Sequence, residues 1–233
     1  LGKPLLYECG LFFERLTDLR LARLIAEALL GEYNPGGKLT VTFPKTVGQI
    51  PFNFPAKPNS QIDGPRKPGL DGNQSRINGA LYDFGFGLSY TTFAYSNLEL
   101  SAREIRPDES VEVAFDITNT GSRRGDEVVQ LYVRDCISSI TTYEKLLKGF
   151  ERIGLEPGET KRVKMILTPK DLSLLDAAMQ RVVEPGEFDV LVGASSTDIR
   201  LSGRIRVTDG AAAAAVPSAT AEIRFPATVA RGG

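Results

Sequence analysis

The most numerous residues that could do acid/base chemistry in this chain are carboxylates. There are 29 Asp and Glu and no histidine. The missing imidazole removes the Ser-His-Asp triad, the Cys-His pair and every His-ligated metal site. Acid/base work falls to carboxylates, Lys or Tyr. Two carboxyl groups about 5 Å apart, one a nucleophile and one a proton donor, are the arrangement such a chain could build. The individual carboxylates argue against it. Glu156, Glu159, Glu184 and Glu187 stand beside Pro-Gly turns or on strand faces, where solvated charge is the natural reading. None is expected in an apolar surrounding that would raise its pKa for acid catalysis. No catalytic residue is assigned.

Other constellations are weaker still. Asp63, Asp71 and Asn73 offer oxygen ligands, but without the spacing of a calcium loop. Gly85-Phe86-Gly87 lies in an aromatic stretch and lacks the strand–glycine–helix context and the lysine of a phosphate loop. Cys9 and Cys136 lack the clustering of a zinc site. They leave two readings, a disulfide in an oxidising compartment or two partly buried thiols, and the thiols are expected. No cofactor and no metal is expected. A net charge of -1 provides no basic field for nucleic acid. No apolar run is long enough to span a bilayer, so neither nucleic acid nor membrane is an expected partner.

The elements that would position these residues are mainly strands. From Ala94 onward apolar residues alternate, with candidate strands at 95–102, 111–119, 127–134, 145–153, 160–167, 187–193 and 199–207. Val111, Val113, Phe115 and Ile117 face one way, and Leu98 and Leu100 do the same on the preceding strand. Turn residues separate the strands: Arg106-Pro107-Asp108, Asn119-Thr120-Gly121, Glu156-Pro157-Gly158 and Glu184-Pro185-Gly186. Seven such strands predict an immunoglobulin or fibronectin type III-like β-sandwich over 94–208. A short helical turn is expected at 171–178, with Pro169 just ahead.

The front of the chain reads differently. Residues 17–31 have the spacing of an amphipathic helix, with Leu21, Leu24, Ile25, Ala28 and Leu29 on one face. Thr17 or Asp18 can cap its start and Gly31 can close its end. Asn34-Pro35-Gly36-Gly37 predicts a turn, and 38–43 (KLTVTF) a short strand stopped by Pro44. One helix and one strand cannot bury each other's apolar faces. Residues 1–55 are therefore expected to be the end of a larger α/β layer with apolar surface exposed. Residues 56–93 are expected to form an extended connector, rich in Pro, Gly and Asn. Its last stretch, LYDFGFGLSYTTF, alternates Tyr82, Phe84, Phe86 and Tyr90 with Gly85 and Gly87. Those rings could stack on sugars. The expectation is instead that they anchor the connector, with the glycines allowing close backbone approach. Residues 209–233, with an alanine run and a short EIRF segment, are read as a tail.

Three segments together resemble one family. Residues 26–44 (AEALLGEYNPGGKLTVTFP) look like the end of the α/β sandwich domain of family 3 glycoside hydrolases, the β-glucosidase type. LYDFGFGLSYTTF resembles the linker into their terminal β-domain, and 127–196 resembles the fibronectin type III-like domain itself. The three stand in the family's order, and the likeness runs from about 21 to 207. It implies a fold that is mainly β, a sandwich preceded by a partial α/β remnant and a connector. The resemblance also implies that the catalytic nucleophile and acid/base lie on upstream domains, so no site residue carries over to this chain. Its partner would be the remainder of those catalytic domains, with carbohydrate a second candidate. The parent would be a retaining, periplasmic or secreted hydrolase of terminal β-linked sugars. Some positions depart from the family. Tyr143-Glu144 stand where Arg-Pro is common, Arg181 where an aromatic is common, and 1–13 do not follow the usual pattern. Leu1 reads as an interior point of a longer polypeptide. A free-standing carbohydrate- or protein-binding module, and an inert leftover of a truncated gene, are the competing readings.

Overall fold

The computed structural model describes residues 19–49, 54–57 and 79–209. Cys9, the helix-capping Thr17 and Asp18, the oxygen ligands Asp63, Asp71 and Asn73, and all of the expected tail except Asp209 lie outside those residues.

The alternation of apolar residues produces a two-sheet sandwich. The three-stranded sheet has the order β3 (Phe93–Leu100), β5 (Val111–Asn119), β8 (Thr160–Leu167). The five-stranded sheet has the order β4 (Glu104–Ile105), β12 (Ile199–Val207), β11 (Gly186–Gly193), β6 (Gly125–Asp135), β7 (Leu146–Leu155). Every pairing is antiparallel except β4 with β12. Val111, Val113, Phe115 and Ile117 of β5 are fully buried and meet Val129, Leu131, Val190, Val192 and Ile205 of the opposite sheet in one core. Burying a side chain of this size is worth about 1.5–3 kcal/mol, which is why the inward row of β5 is apolar from Val111 to Ile117. The first long strand carries a bulge. Its register shifts between Ser96 and Glu99, where Asn97 has φ 54° and its amide donates to Asp116 Oδ2 at 2.7 Å.

Two expected elements are corrected. The helical turn at 171–178 is confined to α2 (Pro169–Leu172), where Asp171 accepts from the Thr168 amide at 2.9 Å. The chain then turns into a hairpin of β9 (Leu174–Leu175) and β10 (Arg181–Val182). Asp176 Oδ1 accepts from the amides of Ala178 and Gln180 at 2.9 and 2.8 Å. A side chain that bonds local amides in this way closes a turn rather than extending a helix. The strand expected at 38–43 shrinks to β1 (Phe43–Pro44), paired with β2 (Ala80–Tyr82). Only Leu39 adds ladder-like bonds, donating to Phe86 O and accepting from Gly85 N at 2.8 Å each. Thr40 and Val41, between Leu39 and β1, are exposed.

The helix forms as expected, as α1 (Leu19–Leu29). The Glu32 amide donates to Glu27 O at 2.8 Å and the Gly31 amide to Ala28 O at 3.2 Å, with Gly31 at φ 79°. These two bonds form a Schellman motif. Among the described residues nothing covers the apolar side of α1: Leu24, Ile25 and Leu29, with Leu30 just beyond, are 54, 50, 76 and 77% exposed.

Candidate functional site

What distinguishes this sandwich is a joint at which the front segment is bolted to it. Asn34, in the turn after α1, ties three stretches together. Its amide donates to Arg124 O at 3.0 Å, and its Oδ1 accepts from Ser89 Oγ at 3.0 Å and Tyr90 N at 2.8 Å. Tyr90 and Arg123 also hold the end of α1. The phenol donates to Ala28 O at 2.8 Å, and the guanidinium donates to Gly31 O at 2.6 Å. Carbonyls at a helix C-terminus lack partners within the helix and favour cations, so the sandwich completes the helix it carries.

Further along, the outer face of the five-stranded sheet is roofed by residues 54–57 and 84–86. Gln130 and Tyr132 point out of β6, yet are only 3 and 0% exposed. Phe54 meets Tyr132 edge-on with centroids 5.7 Å apart, and Phe84 stacks on Phe54 at 4.6 Å. The polar atoms under this roof are bonded. Tyr132 donates to Gln130 Oε1 at 2.5 Å, and the Gln130 amide donates to Gly85 O at 3.1 Å and Ala194 O at 2.8 Å. Burial pushes the Tyr132 phenol above its usual range. Gly85 has φ 81°, and a Cβ there would lie 2.0 Å from Gln130 Oε1. At Gly87 a Cβ would lie 2.4 Å from Gly37 O and 2.6 Å from Lys38 Cδ. Both glycines are where two chains touch without room for a side chain.

The rings of LYDFGFGLSYTTF thus anchor the connector, as expected. Tyr82 stacks on Phe86 at 5.1 Å, and Phe43 meets Tyr82 edge-on at 6.3 Å. The roof continues to the far end of the sheet, where the Glu144 amide donates to Ala56 O at 2.8 Å and Lys57 lies 6.0 Å from the Tyr143 ring centre.

With this geometry the comparisons with known proteins are direct. Residues 20–90 match the glycosyl hydrolase family 3 C-terminal domain, and residues 127–196 match the fibronectin type III-like domain. The chain belongs to glycosyl hydrolase family 3. It is 44% identical over 180 residues to a β-xylosidase of Formosa agariphila, covering 76% of this chain and 24% of the relative. A periplasmic β-glucosidase of Salmonella typhimurium is 40% identical over 178 residues, covering 76% and 23%. The structure of a β-glucosidase from Listeria innocua superposes with a TM-score of 0.74 at 34% identity, covering 80% of this chain and 26% of that one. The chain spans about a quarter of the length of these relatives and matches the family's C-terminal region.

The family 3 chain uses its singled-out carboxylates structurally. Glu156 pairs with Arg124 at 3.1 Å, and Glu187 with Arg204 at 2.9 Å. Glu159 accepts from the Glu156 amide at 2.7 Å, and that backbone bond holds its carboxyl below the usual range. Glu184 accepts from the amide and the hydroxyl of Ser139. One carboxylate overturns the expectation that none is shifted upward. Burial pushes Asp135 up to about 6, the charge of Glu184 adds to the shift, and the Ile137 amide opposes it. It sits at the end of β6, where the strand enters the sandwich edge, and lines neither of two surface cavities. One of these, about 790 Å³, runs beside Leu98, Leu100, Arg103, Leu191, Ser202 and Arg204. The other, about 300 Å³, lies between the 31–34 turn and 123–126. Cys136 is unbridged, its thiol raised chiefly by burial. Among the described residues no group of three or more His, Cys, Asp or Glu could hold a metal ion, and no helix is long and apolar enough to cross a membrane.

Sequence reasoning found the glycines and rings of the joint and missed its polar centre. Asn34 was read only as a turn residue, and Gln130 only as one position in a strand. One signal was available: Gln130 and Tyr132 occupy the outward row of β6, and a tyrosine there calls for a cover.

Proposed function

We propose that this chain is the non-catalytic C-terminal portion of a retaining, β-glucosidase- or β-xylosidase-like family 3 enzyme. Its sandwich is a buttress that holds the front segment for the rest of the catalytic domains. The nucleophile and the acid/base belong to those domains, and none of this chain's residues takes either role. A periplasmic or secreted parent agrees with the periplasmic relative.

The observation that carries this reading is the state of α1. Its C-terminus is held by Tyr90 and Arg123, while its apolar residues lie open. A helix fixed at one end with an uncovered apolar side is built to meet a partner surface. The test is a graft: this chain replaces the matching quarter of the Listeria innocua β-glucosidase. The hybrid is expected to hydrolyse nitrophenyl β-glucoside, and Leu29→Asp in the hybrid to abolish folding or activity. The chain alone is expected to show no turnover. Activity that follows the isolated chain through chromatography would sink the proposal. So would a hybrid indifferent to Leu29→Asp.

Tyr82 and Phe43, each 43% exposed, keep a sugar-binding module as the second reading. Titration of the chain with cello-oligosaccharides decides it: no binding in the millimolar range dismisses the module.

A further inference from the structure

An ion pair is buried where the front segment crosses the mouth of the sandwich. Lys38 Nζ lies 3.0 Å from Glu127 Oε1, and the two side chains are 14 and 5% exposed. Glu127 is the first inward position of β6 beyond Gly125, opposite Ile153 of the core row. Tyr95 of β3 donates to the same Oε1 at 3.1 Å. One carboxylate from the five-stranded sheet, one phenol from the three-stranded sheet and one ammonium from the front segment therefore converge between the two sheets. Arg200 faces the group from β12, 6.0 Å from the Tyr95 ring centre, but its guanidinium is bound by Asp198 at 2.5 and 2.7 Å. Burial and the charge of Glu127 drive the Tyr95 phenol far above its usual range.

The lysine reaches this mouth through a slot. Its stem passes over Gly87, where any Cβ would stand 2.6 Å from Lys38 Cδ. The backbone beside it is fixed by the two bonds between Leu39 and the 85–86 stretch.

We propose that Lys38 is a bolt: its buried pairing with Glu127, through the slot at Gly87, sets the orientation in which the sandwich presents the front segment. The inference rests on the reading of that segment as a docking surface, and adds what aims it. A buried ion pair contributes little net stability, because desolvating both charges offsets their attraction. It does penalise any arrangement that leaves one of them unpaired. The ring contacts of the connector lack that property, since apolar surfaces slide past one another at small cost. The bolt therefore acts on orientation more than on stability.

Amide hydrogen exchange on the intact chain tests this, because the Leu39 and Gly85 amides report the seating of the front segment and those of β5 report the sandwich core. In Lys38→Met the carboxylate is stranded, so the variant is paired with the double change Lys38→Met with Glu127→Gln, which keeps the Tyr95 bond and removes both charges. In both, exchange at Leu39 and Gly85 is expected to speed up about tenfold or more, while β5 in the double variant exchanges as in the parent chain. Gly87→Ala keeps both charges and blocks the slot, and is expected to release the same two amides. A Cβ there also meets Gly37 O at 2.4 Å, so it is retained protection in this variant that is decisive. Protection at Leu39 and Gly85 equal to the parent in the double variant, or in Gly87→Ala, overturns the bolt. Neither result depends on whether the graft hybrid is active.

Discussion

The two outer faces of the sandwich solve opposite problems. On the three-stranded sheet charged residues pair across the outward face: Arg162 with Glu99 and with Asp116 at 3.1 Å, and Lys164 with Glu112 at 2.9 Å. On the five-stranded sheet the same row of β6 holds Gln130 and Tyr132, both buried beneath polypeptide from 54–57 and 84–86. The first face is finished by water and salt. The second is finished by polypeptide, and the polar side-chain atoms of Gln130 and Tyr132 have protein partners. The lesson is that a β-sandwich can be asymmetric in purpose while its core is uniform. The covered face carries the family 3 joint, and the charged one carries ion pairs.

The sharpest way to break that asymmetry is at Gly85. Alanine there would put a Cβ 2.0 Å from Gln130 Oε1 at a residue with φ 81°. Overpacking and a left-handed non-glycine residue together should cost about 3 kcal/mol. Chemical denaturation should show the loss in the midpoint, with the circular dichroism of the sandwich retained. A Gly85→Ala chain as stable as its parent would mean that the roof is not seated on β6.

Gln130→Leu is expected to come second. It keeps the volume of the side chain roughly constant and removes its polar atoms, so Tyr132 Oη, Gly85 O and Ala194 O each lose a partner. Leaving buried polar groups unpaired costs about 1–3 kcal/mol. The change should also raise exchange at Gly85 without unfolding β5. A neutral result would show that water replaces the amide, and that the covered face is wetter than its burial implies.

Much of this architecture was legible in the sequence, and the division follows physical range. The strands at 111–119, 160–167 and 199–207 have the bounds their alternation predicted, because strict period-two burial and bounding turns are local signals. The segment 38–43 was misread as a strand. Its β-branched Thr40 and Val41 stand exposed, and only Leu39 bonds to 85–86 in ladder fashion, which the composition does not reveal. Residues 171–178 were misread as helical because Asp176 was not recognised as a turn closer. The joint was half legible. Gly85, Gly87 and their flanking rings announced close approach, but Asn34 to Arg124 spans 90 residues and Gly85 to Gln130 spans 45. Partners at that separation are fixed by topology, which a single sequence does not display. Asp135 was missed for the same reason. Glu184, whose charge adds to its shift, lies far from it in the chain.

The smallest effect tests the other half of the comparison. Lys164→Met removes the cation opposite Glu112 on the exposed face, where the two side chains are 61 and 42% exposed. Water screens such a pair, and holding two long side chains in one geometry costs entropy, so the loss should stay below about 1 kcal/mol. It should also shrink as salt rises, because the Debye length falls from about 10 Å at 0.1 M to about 3 Å at 1 M. The measurement is the denaturation midpoint of parent and variant at both salt concentrations. The two are expected to differ slightly at 0.1 M and to coincide at 1 M. A loss as large as that of Gln130→Leu, or one untouched by salt, would mean that the charged face also rests against something, and the contrast between the two faces would fall.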